Sequence, residues 1–169
     1  MDKLKITAGK FTFGAKFETA SAPKTVAKFR SLLPYSEKII HVRWSGEGCW
    51  IPLGDYDFGL EYENHTSYPA PGQIILYPGG ISETEILVAY GAVHFASKVG
   101  QLAGNHFITI TDGLENLVAM GRSTLLKGAQ PIRVDGQVIG AIGISADTPA
   151  HDDEIAQAAL AALDQRVQP

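Results

Sequence analysis

Short runs of β-branched and aromatic residues, each cut off by glycine or proline, constrain the fold of this 169-residue chain more than any other feature. EKIIHVRW, GCWIPL, LEYENH, QIILYPG, ETEILVAYG and NHFITIT follow one another between residues 37 and 111. Runs of this length and composition suit a pleated surface better than a helix. Ahead of them, KLKITAG and KFTFGAKFE alternate polar and apolar residues and part near Gly9, which predicts an opening hairpin. Many short strands with little helix between them predict a mainly β protein whose antiparallel sheet closes into a barrel.

Two short helices are expected beside the strands. SAPKTVAKFRSLLP offers Ser21 as N-cap and Pro23 in the first turn; Val26, Phe29 and Leu33 follow at helical spacing, and Pro34 ends the element, giving a helix near 23–33. A second, near 114–126, would bury Leu114, Leu117, Val118, Met120 and Leu125 and stop before Gly128. The chain then changes character. PIRVDGQVIGAIGIS reads as a hairpin turning at Asp135-Gly136, and TPAHDDEIAQAALAAL as an alanine-rich helix with acidic residues in its first turn. The expected division is a barrel domain over 1–130 and a hairpin–helix extension over 131–169. In the last helix Ile155, Ala159 and Leu163 form a stripe flanked by Ala156, Leu160 and Ala162, small enough for close approach by another element. A homo-oligomer joined through this extension is expected, with docking on the parent barrel as the alternative.

Composition narrows the function. With 45% hydrophobic and 19% charged residues the chain can fill a core, and a net charge of −4 without any Lys/Arg-rich block argues against nucleic acid or a membrane surface as partner. A small molecule or another protein fits better. MDKLKITAGKF has no leader pattern and no stretch approaches 18 apolar residues, so a cytoplasmic location is expected. Cys49, the single cysteine, leaves no intrachain disulfide and no cysteine-cluster metal site. It is either a core residue or a nucleophile with His41 or His65 as base. The sequence has no P-loop, no G-x-S-x-G elbow and no H-E-x-x-H, and YPGGIS lacks the glycine order of a dinucleotide cradle.

The candidate chemistry lies in GLEYENHTSYPAPGQIILYPGG. If LEYENH is a strand, Glu61, Glu63 and His65 point to one side and Leu60, Tyr62 and Asn64 to the other. In a partly dry cleft these three would form an acid–base group, or a carboxylate–imidazole set for a divalent metal; in water they are a solvated face. His41 and Arg43 alternate on IIHVRW beside Trp44. The arginine suits an anionic group, which its planar fork can grip, or it satisfies carbonyls at the barrel end. Glu83 and Glu85 share a face of the next strand, where Glu83 could reach a pocket mouth. Tyr77 supplies apolar surface with a polar tip, and Asn105 and His106 close a glycine-containing loop.

GLEYENHTSYPAPGQIILYPGGISETEI, with FASKVGQLAGNHF downstream, resembles a bacterial family of unknown function with a cyclophilin-like β-barrel, over about residues 3–130. That resemblance implies a small closed barrel with helices at its ends and brings no established reaction. AQPIRVDGQVIGAIGISADTPAHDDEIAQAALAAL is similar to the end of the haem-binding and glycolate-utilisation accessory family, whose members bind haem or corrinoid or have no known ligand. Two functions follow as expectations. One is a small-molecule enzyme in which Glu61, Glu63 and His65 perform acid–base chemistry on an anionic metabolite held by Arg43, with His41, Trp44, Tyr77, Glu83, Asn105 and His106 lining the cleft. The other is a non-catalytic module that binds a metabolite or tetrapyrrole or serves assembly. Prolyl isomerisation rests on fold analogy alone, a weak warrant. The sequence points to no particular cofactor.

Overall fold

Polar–apolar alternation sets the first hairpin. In a computed structural model that describes residues 3–122, 129–134, 137–144 and 149–167, β1 (Lys3–Ala8) pairs antiparallel with β2 (Phe11–Phe17), Ile6 opposite Phe13. Leu4, Ile6 and Ala8 face the core while Lys3, Lys5 and Thr7 face away. The remaining strands of the main sheet are β3 (Ile40–His41), β4 (Gly46–Pro52), β5 (His65–Thr66), β6 (Gln73–Tyr77), β7 (Glu85–Val93) and β10 (Gly104–Asp112). A small separate hairpin comprises β8 (Ala96–Ser97) and β9 (Gly100–Gln101). The main sheet runs β1-β2-β10-β6-β7-β4-β3, every pairing antiparallel, and β5 joins the early part of β10 in line with β2.

The sheet curls but does not close, contrary to the barrel expected from strand count. It ends at β1 on one side and at the two-residue β3 on the other, an open half-barrel. Two of the expected strands supply too little ladder. EKIIHVRW yields only Ile40–His41. LEYENH yields no strand before His65, because Gly59 at φ 65 and Asn64 at φ 46 sit in the left-handed region and break the extended run. Lysines on β1 guard that open edge against further pairing.

Period-2 alternation gives the sheet two apolar faces. Ile74 and Leu76 of β6, Ile86, Val88 and Tyr90 of β7, and Cys49 of β4 join Phe13, Phe17, Phe107 and Ile108 on the concave face. Their strand neighbours Ile75, Tyr77, Leu87 and Ala89 turn to the other face and pack with Trp50, Phe95 and Leu102 beneath the chain that carries β8 and β9. Cys49 is therefore a core residue, fully buried, with its sulfur 4.0 Å from the Gly121 carbonyl.

Two helices lean on the concave face. α1 (Pro23–Arg30) buries Thr25, Val26 and Phe29, and the Phe29 ring meets Phe107 edge-on at 5.0 Å. Its N-cap is Ala22 rather than Ser21, with no side-chain cap of its own, and Leu33 lies past its end, 39% exposed. The expected 114–126 helix is a 3-10 turn at Leu114–Asn116 followed by α2 (Leu117–Arg122). Leu117 and Met120 are buried there, while Leu114 and Val118, expected inside, are exposed; Leu125 lies outside the described residues.

The chain divides into two compact units at Thr124 and Leu125. In the second unit, β11 (Ala129–Val134) pairs with β12 (Gln137–Gly143), the turn at 135–136 lying outside the described residues. α3 (Pro149–Val167) covers this hairpin, burying Ala156 and Asp152, and Gln130 donates to Asp153 at 2.9 Å. No helix among the described residues is long and apolar enough to cross a membrane.

Candidate functional site

An incompletely closed barrel leaves part of its inner face uncovered. Between β1 and the segment that leads from α1 into β3, the concave face holds a cavity of about 430 Å³. Its floor is built by register: Ile86 lies beside Ile51, and Val88 beside Ile74, so side chains from three neighbouring strands form one apolar surface. Phe107 and Ile108 extend the floor; Leu4 and Ile6 make one wall; Phe29, Tyr35 and Ile39 make the other. Lys5, Ser36 and Glu37 bring polar atoms and one charge of each sign to its edges. Tyr35 is the polar group of interest. Its hydroxyl is closed off from solvent and has no hydrogen-bond partner among the described residues, and its ring packs 5.0 Å from that of Phe29. Burial, with Glu37 and Tyr56 nearby, pushes the phenol up to about 12, so it stays protonated and can donate.

The sequence-derived candidates lie elsewhere, and each has an individual structural partner. Glu63 is half-buried and its carboxylate accepts the Thr25 backbone N–H at 2.5 Å, capping α1 from 38 residues away. It thus does the work expected of Ser21 and places a negative charge at the positive end of the helix. Glu61 is exposed, and only its carbonyl is engaged, by the Asn105 side-chain amide at 2.9 Å. His65, beyond the left-handed Asn64, is exposed and meets the Tyr62 ring at 5.3 Å. Among the described residues no group of three or more His, Cys, Asp or Glu could hold a metal ion, and no hydrogen bond or ion pair joins the exposed Arg43 to Glu61 or Glu63.

Asn105 and His106 follow the same logic. Asn105 is fully buried; its Oδ1 accepts the Glu63 N–H at 3.0 Å and its Nδ2 donates to Thr25 Oγ1 at 3.1 Å, clamping the 61–63 segment between β10 and α1. His106 Nε2 lies 2.9 Å from Thr109 Oγ1, which donates to Glu18 at 2.5 Å, and Glu18 pairs with Lys16 at 3.1 Å. Burial lowers the imidazole pKa against the opposing pull of Glu18. His41 is held by two contacts of 2.7 Å, to the Val42 carbonyl and the Tyr90 hydroxyl. Since a carbonyl only accepts, Nδ1 carries a proton toward Val42. Trp44 is 60% exposed and borders a broad, shallow depression with Pro69, Pro71 and His94.

Glu83 is exposed, but its neighbour Glu85 is not. At 6% exposure on the second face of β7, between Tyr77 and Pro52 in register, the Glu85 carboxyl is pushed up to about 8 by burial and by Glu83. Tyr77 is buried beside it, 6.4 Å from the Tyr62 ring.

The chain belongs to the family DUF3830, proteins of unknown function, which spans residues 4–135. No curated protein matches it. The family therefore encompasses the half-barrel, cavity included, and the first strand beyond it.

Proposed function

We propose that this protein binds a small, mainly apolar molecule on the concave face of its half-barrel. The observation that carries this reading is the cavity of about 430 Å³ floored by Ile51, Ile74, Ile86 and Val88, a size and lining suited to a small ligand. The acid–base reading of Glu61, Glu63 and His65, with Arg43 as an anchor, has less support. The Glu63 carboxylate is committed to capping α1, and the other three side chains are exposed. We further propose that the half-barrel is related to cyclophilin-like barrels, supported by its antiparallel order and paired helices, and that residues 129–163 are related to the end of the haem-binding and glycolate-utilisation accessory family, supported by a hairpin followed by one long helix.

Titration with the uncharged fluorophore N-phenyl-1-naphthylamine tests the binding reading. Saturable enhancement is expected from the native chain. Ile6→Trp, on the edge strand and facing the cavity, should abolish it while leaving the thermal transition in place. Absence of saturable binding, or equal binding by the variant, would contradict the proposal.

Assembly through the second unit is a second reading, favoured by the exposure of Ile139 at 65% and Ile155 at 46%. Light scattering on the full chain carrying Ile139→Asp and Ile155→Asp should then show a lower mass than the native protein. An unchanged mass would remove it.

A further inference from the structure

We propose that the half-barrel cavity takes a short peptide in extended conformation, which adds as a strand to the free edge of β1 with apolar side chains turned inward and acidic ones outward. This inference rests on the binding reading above and names the class of ligand.

The order of the main sheet sets the direction of such a strand. The path from β1 to β3 has seven strands joined only by antiparallel pairings, so its two edges run the same way and cannot pair antiparallel with each other. A strand laid between them opposes both. The register of the first hairpin shows which groups receive it. Gly9 and Lys10 make a two-residue turn, so Ala8 exchanges hydrogen bonds with Phe11, and at every second position Ile6 and Leu4 do the same with Phe13 and Ala15. The N–H and C=O groups of Lys3, Lys5 and Thr7 therefore point away from β2, and no described strand pairs with them. Lys5 and Thr7 line the cavity although their side chains turn away from the core, so β1 borders the opening with its edge.

The side chains of that edge specify the peptide. Residues opposite Leu4 and Ile6 enter the cavity above Ile86 and Val88, whereas residues opposite Lys3 and Lys5 share the outer face with two exposed lysines. A second copy of β1 would set lysine against lysine; glutamate there meets the opposite charge. On the facing wall the exposed Glu37 and Lys38 bring one charge of each sign and leave that selection to β1.

Fluorescence anisotropy of the dye-labelled pentapeptide amide Leu-Glu-Val-Glu-Leu, titrated with the full chain, tests the assignment against two relatives. One has both glutamates N-methylated, the other has both replaced by lysine. The parent peptide should bind about tenfold more tightly than either, because N-methylation removes the donors that face β1 and lysine sets like charges opposite each other. The full chain carrying Lys3→Glu and Lys5→Glu should reverse the preference between the glutamate and lysine peptides, a result that loss of folding cannot mimic. Equal binding of the N-methylated peptide, a preference of the native chain for lysine, or an order unchanged by the double substitution would overturn this inference. Peptides that fail to bind where N-phenyl-1-naphthylamine still does would overturn it while the cavity reading stands. If neither the peptides nor the fluorophore bind, the cavity reading fails and this inference with it.

Discussion

Replacing Glu85 with glutamine should make the protein more stable at neutral pH and should flatten part of its pH dependence. Glu85 is 6% exposed, its neighbours across the sheet are Tyr77 and Pro52, and burial with Glu83 nearby lifts its carboxyl from 4.5 to about 8. The native state therefore holds this proton more tightly than the unfolded chain does. Its contribution is complete below about pH 4.5 and is lost as the pH rises through about 8. A rise of that size corresponds to about 5 kcal/mol over the full titration, most of which, about 3 kcal/mol, falls between pH 5 and 8. Glutamine has nearly the same shape and no proton to lose. Urea unfolding of both proteins at half-unit intervals, with the stability of the variant subtracted from that of the native chain, isolates Glu85 from all other carboxylates. The difference should move against the native chain by about 3 kcal/mol across that window. A difference that stays flat, or one that moves in favour of the native chain, would mean that Glu85 is ionised in the folded state and that its burial carries no such cost.

Substitutions at three other positions test the contacts that hold the sequence-derived candidates. Asn105→Ala removes the acceptor of the Glu63 N–H and the donors to Thr25 and Glu61, and should cost about 2–4 kcal/mol in chemical unfolding. Glu63→Ala should cost about 1–2 kcal/mol by uncapping α1, and Glu63→Gln, which keeps an acceptor but no charge, about half as much. For His106, whose pKa is lowered by burial, the stabilising neutral form is present above about pH 6.5 and lost as the pH falls. The native chain should thus lose stability relative to His106→Gln between pH 7 and 5, as thermal melts at each pH would show.

The strands were legible where alternation was uninterrupted. β1, β2, β4, β6, β7 and β10 fall on runs whose two faces are both apolar or cleanly divided, and α1 begins at the proline that marked it. LEYENH looked like a strand because its composition is right. Its conformation is set instead by Gly59 and Asn64 at positive φ and by Asn105, which binds the segment's backbone from 42 residues away. The same long-range bond turned Glu63 into a cap, something the spacing of Glu61, Glu63 and His65 could not reveal. The cavity was hidden for a different reason. Its lining comes from β1, α1, the 33–39 segment, β4, β6, β7 and β10, and ordinary isoleucines and valines give no sign that a sheet will stay open. The one local hint was Tyr35, an aromatic with a polar tip directly after the proline expected to end the helix. Glu85 was seen on the right strand, but the sheet covers it from a side that alternation alone left unassigned.

Methyl-resolved NMR of the full chain with saturating N-phenyl-1-naphthylamine tests the central claim most directly. The account predicts that the ligand shifts the methyl resonances of Ile6, Ile39, Ile51, Ile74, Ile86 and Val88, which surround the cavity. Leu87 and Leu102, on the opposite face of the same sheet, should remain where they are. Shifts centred on Leu87 and Leu102, or none at any of these positions, would contradict the claim that the open half-barrel is a binding site.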